Sequence, residues 1–172
     1  IMNDNKISFL KKISNTSRIY SLMSVFFAGS GHPGGILSSM DIVVYLIATE
    51  LKIKKLSDFK KTSRSRFVLS KGHSVPAVYS ALAAVGAINY KDVLNLRKIN
   101  SVFQGHPCRI NTPWVEASTG SLGQGFSFAI GQALALKYFK NKSKVFTIIG
   151  DGEMQEGQIW EGVMFSAQQK SD

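Results

Sequence analysis

Cysteine is almost absent: one residue, Cys108, in a chain of 172. A single thiol excludes an intrachain disulfide framework, and one cysteine with three histidines is too few for a cysteine-rich zinc module. A reducing, cytoplasmic setting is the expectation. Acidic residues are scarce, 11 Asp plus Glu against 21 Lys plus Arg, a formal charge of +10, so polyanions or small phosphorylated ligands are the natural partners. The basic residues are dispersed and no aromatic-interleaved motif accompanies them, which argues against nucleic acid. Long apolar runs are lacking as well. The richest, Ile42 to Ala48, has seven residues, far short of the ~18 a membrane span needs, and no membrane association is expected. Ile19 to Ala28, preceded by Lys6, Lys11, Lys12 and Arg18, imitates a leader peptide. Ser21 and Ser24 interrupt it, however, and Leu10, Ile13, Tyr20 and Phe27 recur at near-helical intervals, so it reads as a packed helix. With 44% hydrophobic and 19% charged residues, residues 1–172 have the composition of one domain with a real core.

The pattern predicts a helix from about Asn5 to Phe27, a glycine loop from Gly31 to Gly35, and a helix capped by Ser38 or Ser39 that ends near Leu51. A linker from Lys52 to Arg66 holds seven Lys or Arg and reads as a solvated surface. Phe67-Val68-Leu69 reads as a short buried strand, followed by helices from Val75 to Val85 and near Lys91 to Leu96. Residues 99–117 show no period and read as a long loop, a frequent place for function. A helix from about Leu122 to Tyr138, a β-branched strand from Lys144 to Ile149 and a helix around Glu156 to Lys170 complete the chain. That last helix carries Ile159, Trp160, Val163, Met164 and Ala167 at core spacing. Strands separated by helices imply an α/β fold with a mainly parallel sheet flanked by helices. No internal repeat or low-complexity segment is found.

All three histidines follow a glycine, at Gly31-His32, Gly72-His73 and Gly105-His106, an arrangement that chance gives less than roughly one time in a thousand at this composition. Glycine lets the backbone turn sharply or approach a ligand, while the adjacent imidazole donates or accepts near neutral pH. Polar loop residues beside turn glycines would look the same one at a time; the triple coincidence favours function. Spacings of 41 and 33 residues match no local zinc motif. Gly150-Asp151-Gly152 follows a strand and puts a carboxylate at the carboxyl end of a parallel sheet, where open α/β folds bind ligands. A bare aspartate repels phosphate, but Mg²⁺ between Asp151 and a diphosphate reconciles the two. Taken alone, the triplet is equally a plain turn. The run Ser118 to Gly125 is a glycine-rich turn opening a helix, suited to an anion or a ring edge, though it matches neither a Walker loop nor the dinucleotide fingerprint; glycines for close packing are the rival explanation. Glu153 and Glu156 flank the Gly-Asp-Gly turn and favour the following helix N-terminus. Glu156 is also placed for a proton-relay network across an interface. Cys108, beside His106, is not expected to be a nucleophile, because neighbours in a loop rarely orient as nucleophile and base.

Taken in order, Ser30-Gly31-His32-Pro33-Gly34-Gly35, Arg66 to His73, Gly105-His106-Pro107, Glu116 to Gly125 and Gly150 to Gly157 resemble the thiamine-diphosphate-binding half of transketolase across nearly the whole chain. The wording at Ser70 to His73 and Gly105 to Pro107 is most similar to split transketolases, in which the diphosphate and pyrimidine domains are separate polypeptides. The resemblance implies the thiamine diphosphate-binding fold, incomplete at its C-terminal end, and assigns roles to individual residues. Asp151 matches the Mg²⁺ ligand. Gly150 and Gly152 match the cofactor turn, with Gly152 the backbone donor to the diphosphate, and His73 matches a residue near the diphosphate and the substrate channel. Gly120 and Leu122 match backbone positions against the cofactor. His32 and His106 match histidines that hold donor-sugar hydroxyls and assist proton transfer, and Glu156 matches a carboxylate linking paired active sites. The implied activity is transfer of a two-carbon ketol unit from a ketose phosphate to an aldose, with the cofactor as electron sink. The family's metal-side asparagine lies roughly thirty residues after the matching aspartate, and its pyrimidine-activating glutamate belongs to the next domain. A pyrimidine-domain subunit or further domains of the same chain are therefore expected partners, in an oligomer. Cys108 and Trp114 stand where an acidic or polar residue and a glycine are expected, so sugar preference is left open. Three rival functions are a deoxyxylulose-phosphate synthase, a 2-oxo-acid dehydrogenase component, and a non-catalytic anion-, RNA- or subunit-binding derivative. The Gly-His-Pro pair at 31–33 and 105–107 suits hydroxyl-rich sugar donors and favours ketol transfer.

Overall fold

A computed structural model of the chain describes residues 3–170. Its contacts group into two units. The first comprises the chain up to Lys60 together with His73–Gly105; the second comprises Lys61–Gly72 together with the chain from His106 onward.

The first unit is helical. Helix α1 (Asp4–Ala28) opens where the Asn3 carboxamide oxygen accepts the Lys6 amide at 3.0 Å, and it stops at Gly29, whose φ of 65° only glycine adopts freely. Helix α2 (Pro33–Tyr45) runs on through a wider turn, Leu46–Glu50. It begins earlier than expected, because Pro33 is pre-set for the first helical position. Ser38 and Ser39 are therefore not caps; their hydroxyls donate back to the Gly35 carbonyl at 3.2 and 2.8 Å. Helix α3 (Val75–Ala84) and the short α4 (Tyr90–Val93) complete the unit. Ile36, Met40 and Val43 of α2 and Ile47 of the wider turn after it, with Val75, Tyr79 and Leu82 of α3, are fully buried.

The face of α1 that is buried is serine, not the expected apolar set. Ser14, Ser17, Ser21 and Ser24 are inside, whereas Phe27 is 56% exposed and Leu10, Ile13 and Tyr20 only half-buried. Short side chains let helices approach closely, and their hydroxyls return to the backbone: Ser17 donates to the Ile13 carbonyl at 2.8 Å and Ser21 to the Pro76 carbonyl at 3.3 Å. On the rim of that face, Arg18 grips Asp41 through two bonds of 3.1 and 2.7 Å, and Ser14 also donates to Asp41.

The second unit carries the sheet. Strands β1 (Arg66–Leu69) and β2 (Val145–Ile148) pair in parallel, Arg66 opposite Val145 through Leu69 opposite Ile148. Helix α5 (Gln124–Tyr138) packs on both strands and α6 (Gly157–Gln169) packs on α5. A Cβ at Gly162 would lie 2.9 Å from the Phe126 ring, so glycine permits the close α5–α6 contact. The α/β class with parallel pairing is as expected, but β2 is only partly buried, with Ile148 alone fully inside. The apolar spacing on α6 also misleads. Ile159 is buried, while Trp160, Val163 and Met164 are exposed and Ala167 is exposed with them. The basic linker is not wholly solvated either: Arg64 turns in to pair with buried Glu116, and Arg66 Nε lies 3.9 Å from the same carboxylate.

Candidate functional site

Two of the three histidines lie in the first unit. His32 precedes α2 and is exposed; His73 lies in the tight turn Gly72–Ser74 that leads into α3 and is half-buried. Their rings stand 5.1 Å apart, centroid to centroid, at an interplanar angle of 55°. A Cβ on Gly35 would lie 3.2 Å from His73 Nε2 and 2.9 Å from Ser74 Oγ. Glycine at 35 therefore keeps open the space that the imidazole and the Ser74 hydroxyl occupy. The spacing of 41 residues hid this pairing, which only the packing of α2 beside α3 creates.

The second unit gathers His106, Gly120, Leu122, Gly150, Asp151, Gly152 and Glu156. His106 is exposed, and its ring lies against Gly120, whose φ is 149° and whose Cβ would come within 3.0 Å of the imidazole. That loop is anchored from both ends: the Thr119 amide donates to the Pro107 carbonyl at 3.1 Å, and the Thr119 hydroxyl donates to the Leu69 carbonyl at the end of β1 at 2.7 Å. A Cβ on Gly72 would meet the Thr119–Gly120 backbone at 2.8 Å. Glycines at 72 and 120 are thus required for close approach, as the pattern implied. Leu122 is half-buried, one residue before the left-handed Gly123 that starts α5. Cys108 faces Asn111 at 3.5 Å.

Beyond β2, Gly150 is buried, while Asp151 and Gly152 are exposed with open space at the Cβ position of Gly152. Lys71 is buried beside this turn, its side chain 3.6 Å from the Cβ position of Gly150. Burial holds the Lys71 ammonium below the ordinary lysine range, with Asp151 and Glu153 pulling it back up. Glu156 is exposed at the head of α6 and caps no amide with its side chain.

Glu153 departs most from expectation. It is 2% exposed and not a surface charge at a helix start. Its Oε1 accepts the Ser70 hydroxyl at 2.6 Å and the Gly123 amide at 2.8 Å, and its Oε2 accepts the Gly150 amide at 3.0 Å. The N-terminus of α5, expected to receive a ligand anion, already holds an internal one. No local signal could have marked Glu153 and Lys71, since the Glu153 partners lie up to 83 residues away.

The turn suits a divalent ion carrying a diphosphate. Asp151 offers an exposed carboxylate, and Gly152 leaves its surroundings clear. Among the described residues no cluster of three His, Cys, Asp or Glu side chains forms a ready metal cage.

Glycine turns at the carboxyl ends of a parallel pair, one of them holding a carboxylate between two glycines, lie where open α/β folds bind ligands. The comparisons give the family. The model of the transketolase thiamine diphosphate binding domain matches residues 10–172, and the chain belongs to that family. It is 39% identical to Homo sapiens transketolase over 171 residues, covering 99% of this chain and 27% of the relative. It is 37% identical over 171 residues to a 6-deoxy-6-sulfo-D-fructose transketolase subunit of Clostridium sp. (strain MSTE9), covering 62% of that subunit. The solved transketolase of Leishmania mexicana superposes with a TM-score of 0.80 at 31% identity, covering 91% of this chain and 25% of that one. For the Campylobacter jejuni enzyme the TM-score is 0.77 at 32% identity. The chain thus spans about a quarter of the transketolases it matches. Among the described residues no helix is long and apolar enough to cross a membrane.

Proposed function

We infer that the chain is the diphosphate-binding component of a transketolase-like enzyme that moves a two-carbon ketol unit from a ketose phosphate to an aldose. The observation that carries this reading is the exposed Asp151 carboxylate between two glycines at the end of a parallel strand, in a chain whose matched family binds thiamine diphosphate. Bound there, the cofactor supplies the electron sink that carbon–carbon cleavage beside a ketose carbonyl requires. Asp151 takes the Mg²⁺ that carries the diphosphate. The Gly152 backbone comes close to that diphosphate, and Gly120 and Leu122 present backbone to the cofactor. The paired His32 and His73 imidazoles, and His106, hold donor hydroxyls and take up a proton at ring nitrogen or return it. Glu156, exposed and without a side-chain partner in capping, is free to enter a carboxylate network with a second subunit. Its relative among split subunits supports a separate pyrimidine-domain partner; the longer relatives support further domains of one chain. In this reading the protein works in the cytoplasm, in pentose phosphate metabolism, as part of an oligomer.

Calorimetric titration of the purified chain with thiamine diphosphate and Mg²⁺ tests the reading, alone and together with a pyrimidine-domain partner. Binding that requires Mg²⁺ and is lost in Asp151→Ala is the expected result. No binding in any assembly would move the fold to a non-catalytic role, and turnover of pyruvate in place of a ketose phosphate would assign a different thiamine diphosphate reaction.

A further inference from the structure

The turn that presents Asp151 closes on its own backbone, the Met154 amide donating to the Gly150 and Asp151 carbonyls at 3.1 and 3.3 Å and the Gln155 amide to the Gly152 carbonyl at 3.1 Å, so what remains to be fixed is its place against β1 and α5. Asp151 and Gly152 are exposed, and nothing packs on the Cβ side of Gly152. The strand behind it is tied to β1 as far as the Ser70 amide, which donates to the Ile148 carbonyl at 3.0 Å. Past Ile148, the Glu153 side chain takes over. One oxygen gathers the end of β1 and the head of α5 through Ser70 and Gly123; the other takes the Gly150 amide next to Asp151. A buried carboxylate that receives three donors is a stiff joint, because releasing any donor strands a polar group away from water. We propose that Glu153 is a positioning residue for the cofactor site: it sets where the Asp151 carboxylate stands relative to the first turn of α5, and it keeps the Gly123 amide from the ligand. The proposal rests on the reading that the Asp151 turn takes the metal–diphosphate.

Glu153→Gln is the informative variant. In either amide orientation its NH₂ group faces a backbone N–H, at Gly150 or at Gly123, so one arm of the joint opens while side-chain volume is kept. With thiamine diphosphate and Mg²⁺ as probe, calorimetry is expected to show binding weakened about tenfold, and hydrogen exchange at the Gly150 and Gly123 amides is expected to accelerate. Because Glu153 acts through Asp151, the double variant Glu153→Gln, Asp151→Asn should bind no more weakly than Asp151→Asn alone. A purely structural role would instead give additive losses. Should Glu153→Gln not fold, Ser70→Ala removes one donor without a donor–donor conflict and is expected to weaken binding about threefold. Wild-type affinity in a folded Glu153→Gln or Ser70→Ala protein, or additive losses in the double variant, would overturn the proposal. If Asp151→Asn itself binds like wild type, it is the underlying site reading that fails. If the wild-type chain does not bind the probe in any assembly, both fall, and faster exchange would report a folding role only.

Discussion

Replacing glycine by alanine at two positions of one helix should move stability in opposite directions. Gly125 and Gly131 both lie in α5, a helix of 15 residues. Alanine at an exposed helix interior gains about 0.5–1 kcal/mol, because glycine has more backbone freedom to lose on folding. Gly131 is exposed and has nothing within 4 Å of its Cβ position, so Gly131→Ala should gain about that amount. At Gly125 the new methyl would lie 2.6 Å from Ser70 Cα and 2.8 Å from Ser70 Oγ, about 1 Å inside ordinary carbon contact. No rotamer change relieves a clash with backbone, so α5 must lift or the end of β1 must move. Overpacking of this kind costs about 1–3 kcal/mol. Displacing Ser70 also weakens its bond to the Glu153 carboxylate, worth about 1.5–3 kcal/mol. The net expectation for Gly125→Ala is a loss of about 2–4 kcal/mol, or roughly 5–15 °C in Tm for a chain of this size. Urea unfolding followed by far-ultraviolet circular dichroism measures both variants, with an unchanged m value showing that the unfolded state is not the cause. A Gly125→Ala protein as stable as wild type would refute the claim that α5 is seated against Ser70 by the absence of a side chain.

Other consequences are open to direct measurement. Gly120→Ala should be destabilised by about 1–3 kcal/mol, since a φ of 149° suits glycine and the methyl would press on the His106 ring; the His106 ring resonances should shift by NMR, and unchanged stability and shifts would contradict the packing. Arg64→Met leaves buried Glu116 with only Arg66 at 3.9 Å and should cost about 3 kcal/mol, read by chemical denaturation; a neutral outcome would mean the pair is solvated. The Asp41 carboxyl is held below the usual carboxylate range, chiefly by its bond from Arg18 and then by that from Ser14. Its folded-state pKa is depressed, so its stabilising contribution is present above the unfolded value and is lost as pH falls through the folded one. Titration by NMR should place Asp41 below an ordinary aspartate, and Arg18→Gln should raise it; an unmoved Asp41 would exclude the pairing in solution.

Much of the fold was legible because its signals are local. The approximate span of α1, the span of α3, the turn after β2 and the long loop before α5 follow from proline, glycine and periodicity within a few positions. The ordered motifs from Gly31 to Gly157 carried the family, because their wording and order are preserved in the chain itself. What local pattern misjudged was which face each helix buries. On α1 the serines went inside, because close approach to α2 and α3 rewards small side chains; on α6 the apolar spacing was right for a helix, yet Trp160 and Met164 lie at the surface.

The amino-acid sequence by itself determined that glycines accompany every histidine and flank Asp151, and so where the backbone can turn or approach a ligand. Only the tertiary structure decided that His32 stands beside His73, that Arg64 leaves a basic linker for Glu116, and that Glu153 turns inward to join Ser70, Gly123 and Gly150. The reason is physical: a turn is specified by the dihedral preferences of adjacent residues, whereas a buried charge is placed by donors brought to it from up to 83 positions away. Those donors become neighbours only once β1, β2 and α5 have packed.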